Sequence, residues 1–151
     1  MQLGASFKLG PFTVDAAGRL SPCDPATAPA FLFRWHDRIV RARLDQADAE
    51  TGRLNLQVTL ARVSSSAGTP DEMLRPRSFA LLRWLERSTP STWHVALLAD
   101  HRVWLETVTP IALPIAAAGL ITEITRFALD LAPYLELMDE VGLALPRRGV
   151  A

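Results

Sequence analysis

Three histidines, one cysteine and a few adjacent carboxylates are the residues of this chain that could do chemistry, and their spacing decides whether they do. His36, His94 and His101 would make a zinc site only with a partner one helical turn away or with paired cysteines, and neither pattern occurs. They fall in or beside strand ends and turns and read as surface histidines. Cys23 with a distant histidine is the makings of a nucleophile and base. It lies between Pro22 and Asp24, however, with no helix N-terminus or glycine-rich turn after it, and reads as a structural thiol. Ser64-Ser65-Ser66 and Gly68 make a flexible connection, and no phosphate-cradling glycine motif occurs. Asp71-Glu72 complements a helix start, and Asp139-Glu140 near a helix end reads as a solvated pair. No catalytic, metal or cofactor site emerges, so we expect neither an enzyme nor a cofactor.

A different constellation does emerge, one suited to contact rather than catalysis. Where Phe31, Phe33, Trp35, Val40, Ala42, Leu44, Leu54, Leu56 and Val58 share one side of a sheet, Arg34, Arg41 and Arg43 share the other. On a second strand pair, His94, Trp104 and Glu106 fall on that same outer side. Arginines beside an exposed tryptophan are the composition of a protein-binding surface. We therefore take Arg34, Arg41, Arg43 and Trp104 as candidate partner-binding residues. An ordinary wet sheet face with one stray aromatic is the competing account.

The elements that must position these residues are legible from periodicity. Residues 1–29 read as a β-arm (Phe7-Lys8-Leu9, Phe12-Thr13-Val14, a brief Arg19-Leu20) and a loop punctuated by Pro22, Pro25 and Pro29. Phe31–Trp35, Val40–Leu44 and Leu54–Leu60 alternate with period two, with a turn over 48–52. A Ser-, Gly- and Pro-bearing connection fills 63–75. Pro76 then fits the first turn of a helix carrying Phe79, Leu82 and Leu85, which Ser88-Thr89-Pro90 stops. Trp93–Ala99 and Arg102–Val108 form a strand pair around an Asp100-His101 turn. From about Pro114 to Val141 the period changes to three and four through Leu120, Ile124, Phe127, Ala128, Leu131, Leu135 and Met138. Pro133 inside that helix removes one backbone bond. The expected fold is α+β: a five-stranded antiparallel sheet with two helices packed on one face, in the order βββ-α-ββ-α. A single domain would span 30–145 and a tail 146–151.

Composition narrows the function classes. The 151 residues are 49% hydrophobic, enough for one core. Sixteen basic and 16 acidic residues give zero formal charge, which lacks the basic footprint of a nucleic-acid binder. Lys8 is the only lysine, and arginine favours bidentate and stacking contacts, although a GC-rich genome gives the same bias. The run from Ile111 to Ile121 is shorter than the ~20 residues a membrane helix needs. No signal peptide opens the sequence, and a lone cysteine fits a reducing compartment. We expect a cytoplasmic protein. The last helix also carries Ile121, Leu129, Ala132 and Leu137, more apolar surface than one sheet contact uses, so the first helix or a second subunit must cover it.

From Arg77 onward the order of elements resembles the type III secretion chaperone-like fold, with its YbjN-like relatives. The resemblance rests on Phe79-Ala80-Leu81-Leu82-Arg83-Trp84-Leu85, the pair Trp93–Leu97 and Val103–Glu106, and Leu120–Ala128 running on to Tyr134–Met138. It covers residues 30–141. It implies a small homodimer that binds an extended segment of a partner protein or secreted client. The sequence differs from secretion chaperones in opening with a β-arm and in a pI near 6.8 where they are acidic. A regulatory or sensory domain, binding a signalling partner or a small molecule between helix and sheet, is the alternative expectation.

Overall fold

Strict alternation of apolar and polar residues forces a sheet with one dry side, and the register shows which side that is. The computed structural model describes residues 6–62 and 74–140, and the side chains of the first helix from Phe79 onward. The 63–73 connection, with its serines and Asp71-Glu72, and the tail from Val141 lie outside the described residues. Among the described residues eight strands and two helices follow one another: β1 (Phe7–Leu9), β2 (Phe12–Val14), β3 (Leu20–Pro22), β4 (Ala30–Trp35), β5 (Arg38–Gln46), β6 (Thr51–Arg62), α1 (Leu74–Ser88), β7 (Trp93–Leu97), β8 (Arg102–Ala112) and α2 (Ala117–Glu140). The main sheet is antiparallel throughout, in the order β4-β5-β6-β8-β7, and β1-β2-β3 make a second, small sheet. The α+β class and the five-stranded antiparallel sheet expected from the sequence are therefore present.

Cross-strand partners share a face, so the register sorts the side chains. Phe31, Ala42, Leu56, Thr107 and Trp93 form one inward row, and Phe33, Val40, Val58, Leu105 and Val95 the next. The stripe of α2 closes over them, with Leu120, Phe127, Ala128, Leu131, Leu135 and Met138 all buried. Helix α1 joins the same core through Leu85, Leu81 and Leu82. It is tied to α2 where the Tyr134 hydroxyl donates to the Ser88 carbonyl at 2.8 Å and Trp84 meets the Tyr134 ring. Both helices thus lie on one side of the sheet. At α1's end, Thr89 folds back and both its N–H and its hydroxyl bond the Leu85 carbonyl, a local C-terminal stop.

The N-terminal strands share the core as well. Phe12, Val14 and Leu20 are buried, and Phe12 packs edge-on against Phe31 of β4. Leu20 N–H donates to the Ile115 carbonyl and Ala117 N–H to the Gly18 carbonyl, which fastens the small sheet to the entry of α2.

Several boundaries move for physical reasons. β8 runs to Ala112, past the expected end at Val108, and includes Pro110. Because β7 stops at Trp93, opposite Thr107, the last residues of β8 are an edge where proline is tolerated. Pro22 belongs to β3, again an edge strand. Gly52 sits inside β6 rather than in the preceding turn. A Cβ there would stand 3.1 Å from both the Asp45 carbonyl oxygen and a Leu113 methyl, so glycine lets that connection pass close. α2 begins at Ala117, not Pro114.

Two hairpins set the strand ends. Trp35 and Arg38 close a two-residue turn in which His36 and Asp37 have φ of 47° and 59°, the type I′ geometry whose twist matches the flanking strands. Between β7 and β8, Leu98 bonds both His101 and Arg102, and His101 takes the left-handed position at φ 66°.

Candidate functional site: the outer sheet face

The side of the main sheet opposite the helices carries, row by row, Ala30, Arg43, Asn55 and Val108; then Leu32, Arg41, Gln57, Glu106 and His94; then Arg34 and Ile39 at one end and Thr59, Trp104 and Ala96 at the other. All four residues singled out in the sequence, Arg34, Arg41, Arg43 and Trp104, stand on this face. They are spread across it rather than clustered. Arg34 and Trp104 lie three strand spacings apart, about 14 Å at ~4.8 Å per strand.

Their electrostatic states differ. Arg43 is engaged: its Nε and Nη2 donate to one Asp45 carboxylate oxygen at 3.1 and 3.0 Å, and Asn55 Nδ2 donates to that same oxygen. Glu106 accepts from Gln57 Nε2 at 3.0 Å. Arg34 and Arg41 are exposed and make no ion pair among the described residues. Two free guanidinium groups therefore stand on a face whose carboxylates, Asp45 and Glu106, are already hydrogen-bonded. Trp104 is half-buried, and its cross-strand neighbours are the small residues Thr59 and Ala96.

The face also holds exposed apolar residues that were not singled out: Leu32 at 63%, Ile39 at 54% and Val108 at 41%. Their signal was available. Each is out of phase with an inward-facing run, Leu32 between Phe31 and Phe33, Ile39 before Val40 and Val108 after Thr107. On α2, Ile121 and Leu129 are exposed too, while Ala132 and Leu137 are half-buried.

One group needs a different reading from its sequence pattern. Asp139, though still exposed to solvent, also accepts from Arg38 Nη2 at 3.1 Å. Arg38 itself is only 2% exposed and was missed, although it is in phase with Val40, Ala42 and Leu44. Its Nε donates to the Leu60 carbonyl at 3.0 Å and its Nη1 to the His36 carbonyl at 2.9 Å. Leu60 needs that donor because β6 bulges between Thr59 and Ala61, which takes its carbonyl out of the ladder.

The chemistry-bearing residues stay apart. His36 and His101 sit on hairpins at the same end of the sheet with β6 between them, and His94 lies on the outer face opposite Glu106. Exposed Cys23 has its thiol 3.6 Å from the Thr13 hydroxyl. Among the described residues no group of three or more His, Cys, Asp or Glu is placed to hold a metal ion, and no helix is long and apolar enough to cross a membrane. Comparison of the chain with protein-family models, curated proteins and solved structures gives no match.

Proposed function

We propose that the chain is a non-enzymatic binding module of the secretion-chaperone-like kind, a homodimer whose outer sheet faces hold an extended segment of a partner protein. The observation that carries this reading is the composition of that face: Arg34 and Arg41 with no ion pair among the described residues, a half-buried tryptophan between two small neighbours, and exposed Leu32, Ile39 and Val108. An extended segment places alternate side chains on one side. One whose sheet-facing residues, at every second position, include both apolar and acidic side chains would lay its apolar groups on the indole and on Ile39. Its carboxylates would meet the planar guanidinium forks, which accept them bidentately. The exposed Ile121 and Leu129 of α2 are further apolar surface, on the opposite side of the sheet.

The test is selection from a displayed library of random extended peptides, followed by affinity measurement. Acidic-apolar sequences are expected to be enriched. Trp104→Ala is expected to weaken them by about 1–2 kcal/mol, as interface aromatics do, with the melting curve little changed. Arg41→Ala should weaken them more at low salt than at high salt. Enrichment of basic peptides, or full affinity in Trp104→Ala, would refute the reading. A pull-down with mass spectrometry would then identify the natural partner.

A further inference from the structure

The first strand of the main sheet has a free edge whose chemistry is unusually complete. Antiparallel pairs alternate between positions that exchange hydrogen bonds and positions that do not. Leu44 N–H donates to the Pro29 carbonyl, and Trp35 with Arg38 closes the two-residue hairpin. Both place the odd-numbered residues of β4 toward β5. Ala30, Leu32 and Arg34 consequently direct their N–H and C=O groups away from the sheet, where no backbone partner meets them among the described residues.

Such edges are ordinarily blunted by lysine, inward charge, proline or a bulge. β4, Ala30–Trp35, has no lysine, proline, inward charge or bulge, and Arg34 is its one charged side chain: its sequence is Ala-Phe-Leu-Phe-Arg-Trp and its register with β5 is unbroken. Its inward residues Phe31, Phe33 and Trp35 are only half-buried, unlike their neighbours Val40 and Ala42 on β5. Leu32 on the other side is the most exposed large apolar side chain of the described residues.

We propose that two copies of the chain join edge to edge through β4, antiparallel about a two-fold axis at Leu32, so that one sheet runs through both. This rests on the homodimer reading above and specifies its surface. A second copy fits better than an arbitrary strand because one register satisfies everything at once. With Leu32 opposite Leu32, Ala30 faces Arg34 of the second copy, and every free N–H and C=O of the three residues finds its complement. Phe31 then stands opposite Phe33 of the second copy in a closely spaced pair, the cross-strand aromatic arrangement that stabilises sheets. Arg34, the strand's one charge, meets alanine and not its own copy, as an isologous contact requires.

Light scattering and amide exchange test this together, using Leu32→Pro. Proline removes the N–H that points to the free edge and no bond within the chain, so the monomer fold should survive. Leu32→Lys is the second variant, and circular dichroism verifies that both fold. The wild type is expected at twice 16.6 kDa, with the Leu32 and Arg34 amides protected from exchange only at concentrations where the dimer forms. Leu32→Pro is expected to weaken association on the order of 100-fold, through two lost symmetric hydrogen bonds. The comparator is Leu129→Glu on α2, which should leave the dimer intact. A dimer that survives Leu32→Pro and falls apart in Leu129→Glu overturns the β4 edge while keeping the homodimer. A monomeric wild type with freely exchanging Leu32 and Arg34 amides overturns both.

Discussion

Replacing Arg38 by leucine tests whether the buried guanidinium holds the sheet to the end of α2 or merely fills space. Three bonds go with it. The Leu60 carbonyl is buried and out of the ladder, so stranding it costs about 1–3 kcal/mol. The His36 carbonyl is part-buried in an open turn and recovers water, a loss of about 0.5–1 kcal/mol. Asp139 is 47% exposed on its side chain, so the ion pair is discounted to about 0.2–1 kcal/mol. Relief of the cost of burying the guanidinium offsets part of this. Arg38→Leu should therefore lower stability by about 2–4 kcal/mol in urea unfolding, as a shift in midpoint with the slope unchanged. Asp139→Asn should cost at most ~1 kcal/mol. Were Asp139→Asn as damaging as Arg38→Leu, the ion pair and not the stranded carbonyl would be the source, and the reasoning would fail. An Arg38→Leu protein within ~0.5 kcal/mol of wild type would refute it as well.

Two further expectations concern the turns. Asp37 holds φ of 59° at the second central position of a type I′ turn where glycine is favoured, so Asp37→Gly should add about 0.5 kcal/mol and raise Tm by roughly 1–2 °C in a thermal melt; a lowered Tm would mean the aspartate is locally anchored. The carboxyls of Asp15, Asp24 and Asp48 lie below their ordinary 3.8, held down chiefly by the backbone N–H groups of Arg19, Ala26 and Glu50 respectively. A depressed folded-state value stabilises above the unfolded value and is lost as pH falls through the folded one, so Tm should drop as pH goes below about 4. Asp48→Asn should flatten that drop, and an unchanged pH profile in this variant would contradict the assignment.

Much of the architecture was written in period. The α2 stripe and the inward residues of β4, β5 and β6 follow directly from spacing, because burial on one side is what selects those residues. Arg34, Arg41, Arg43 and Trp104 reached the outer face by the same arithmetic. Charge state was not legible: that Arg43 is engaged by Asp45 while Arg41 is free depends on rotamers and register. Arg38 was lost because an arginine in an inward phase looks like an exception, and the Thr59–Ala61 bulge that requires it leaves no local mark. The extra length of β8 was hidden by Pro110, which reads as a terminator until the neighbouring strand is known to stop short.

The bulge and the buried arginine have a consequence for how such a chain can vary. Leu60 and Ala61 both point inward because one residue is extra there. Deleting it would straighten the ladder, remove the loose carbonyl and leave Arg38 as a buried cation with its principal acceptor gone. Replacing Arg38 alone would leave the carbonyl stranded. Each change is harmful singly and tolerable only with the other, so two sites on different strands should behave in inheritance as one. Descendants of this chain are expected to keep both or to have lost both, with few surviving intermediates.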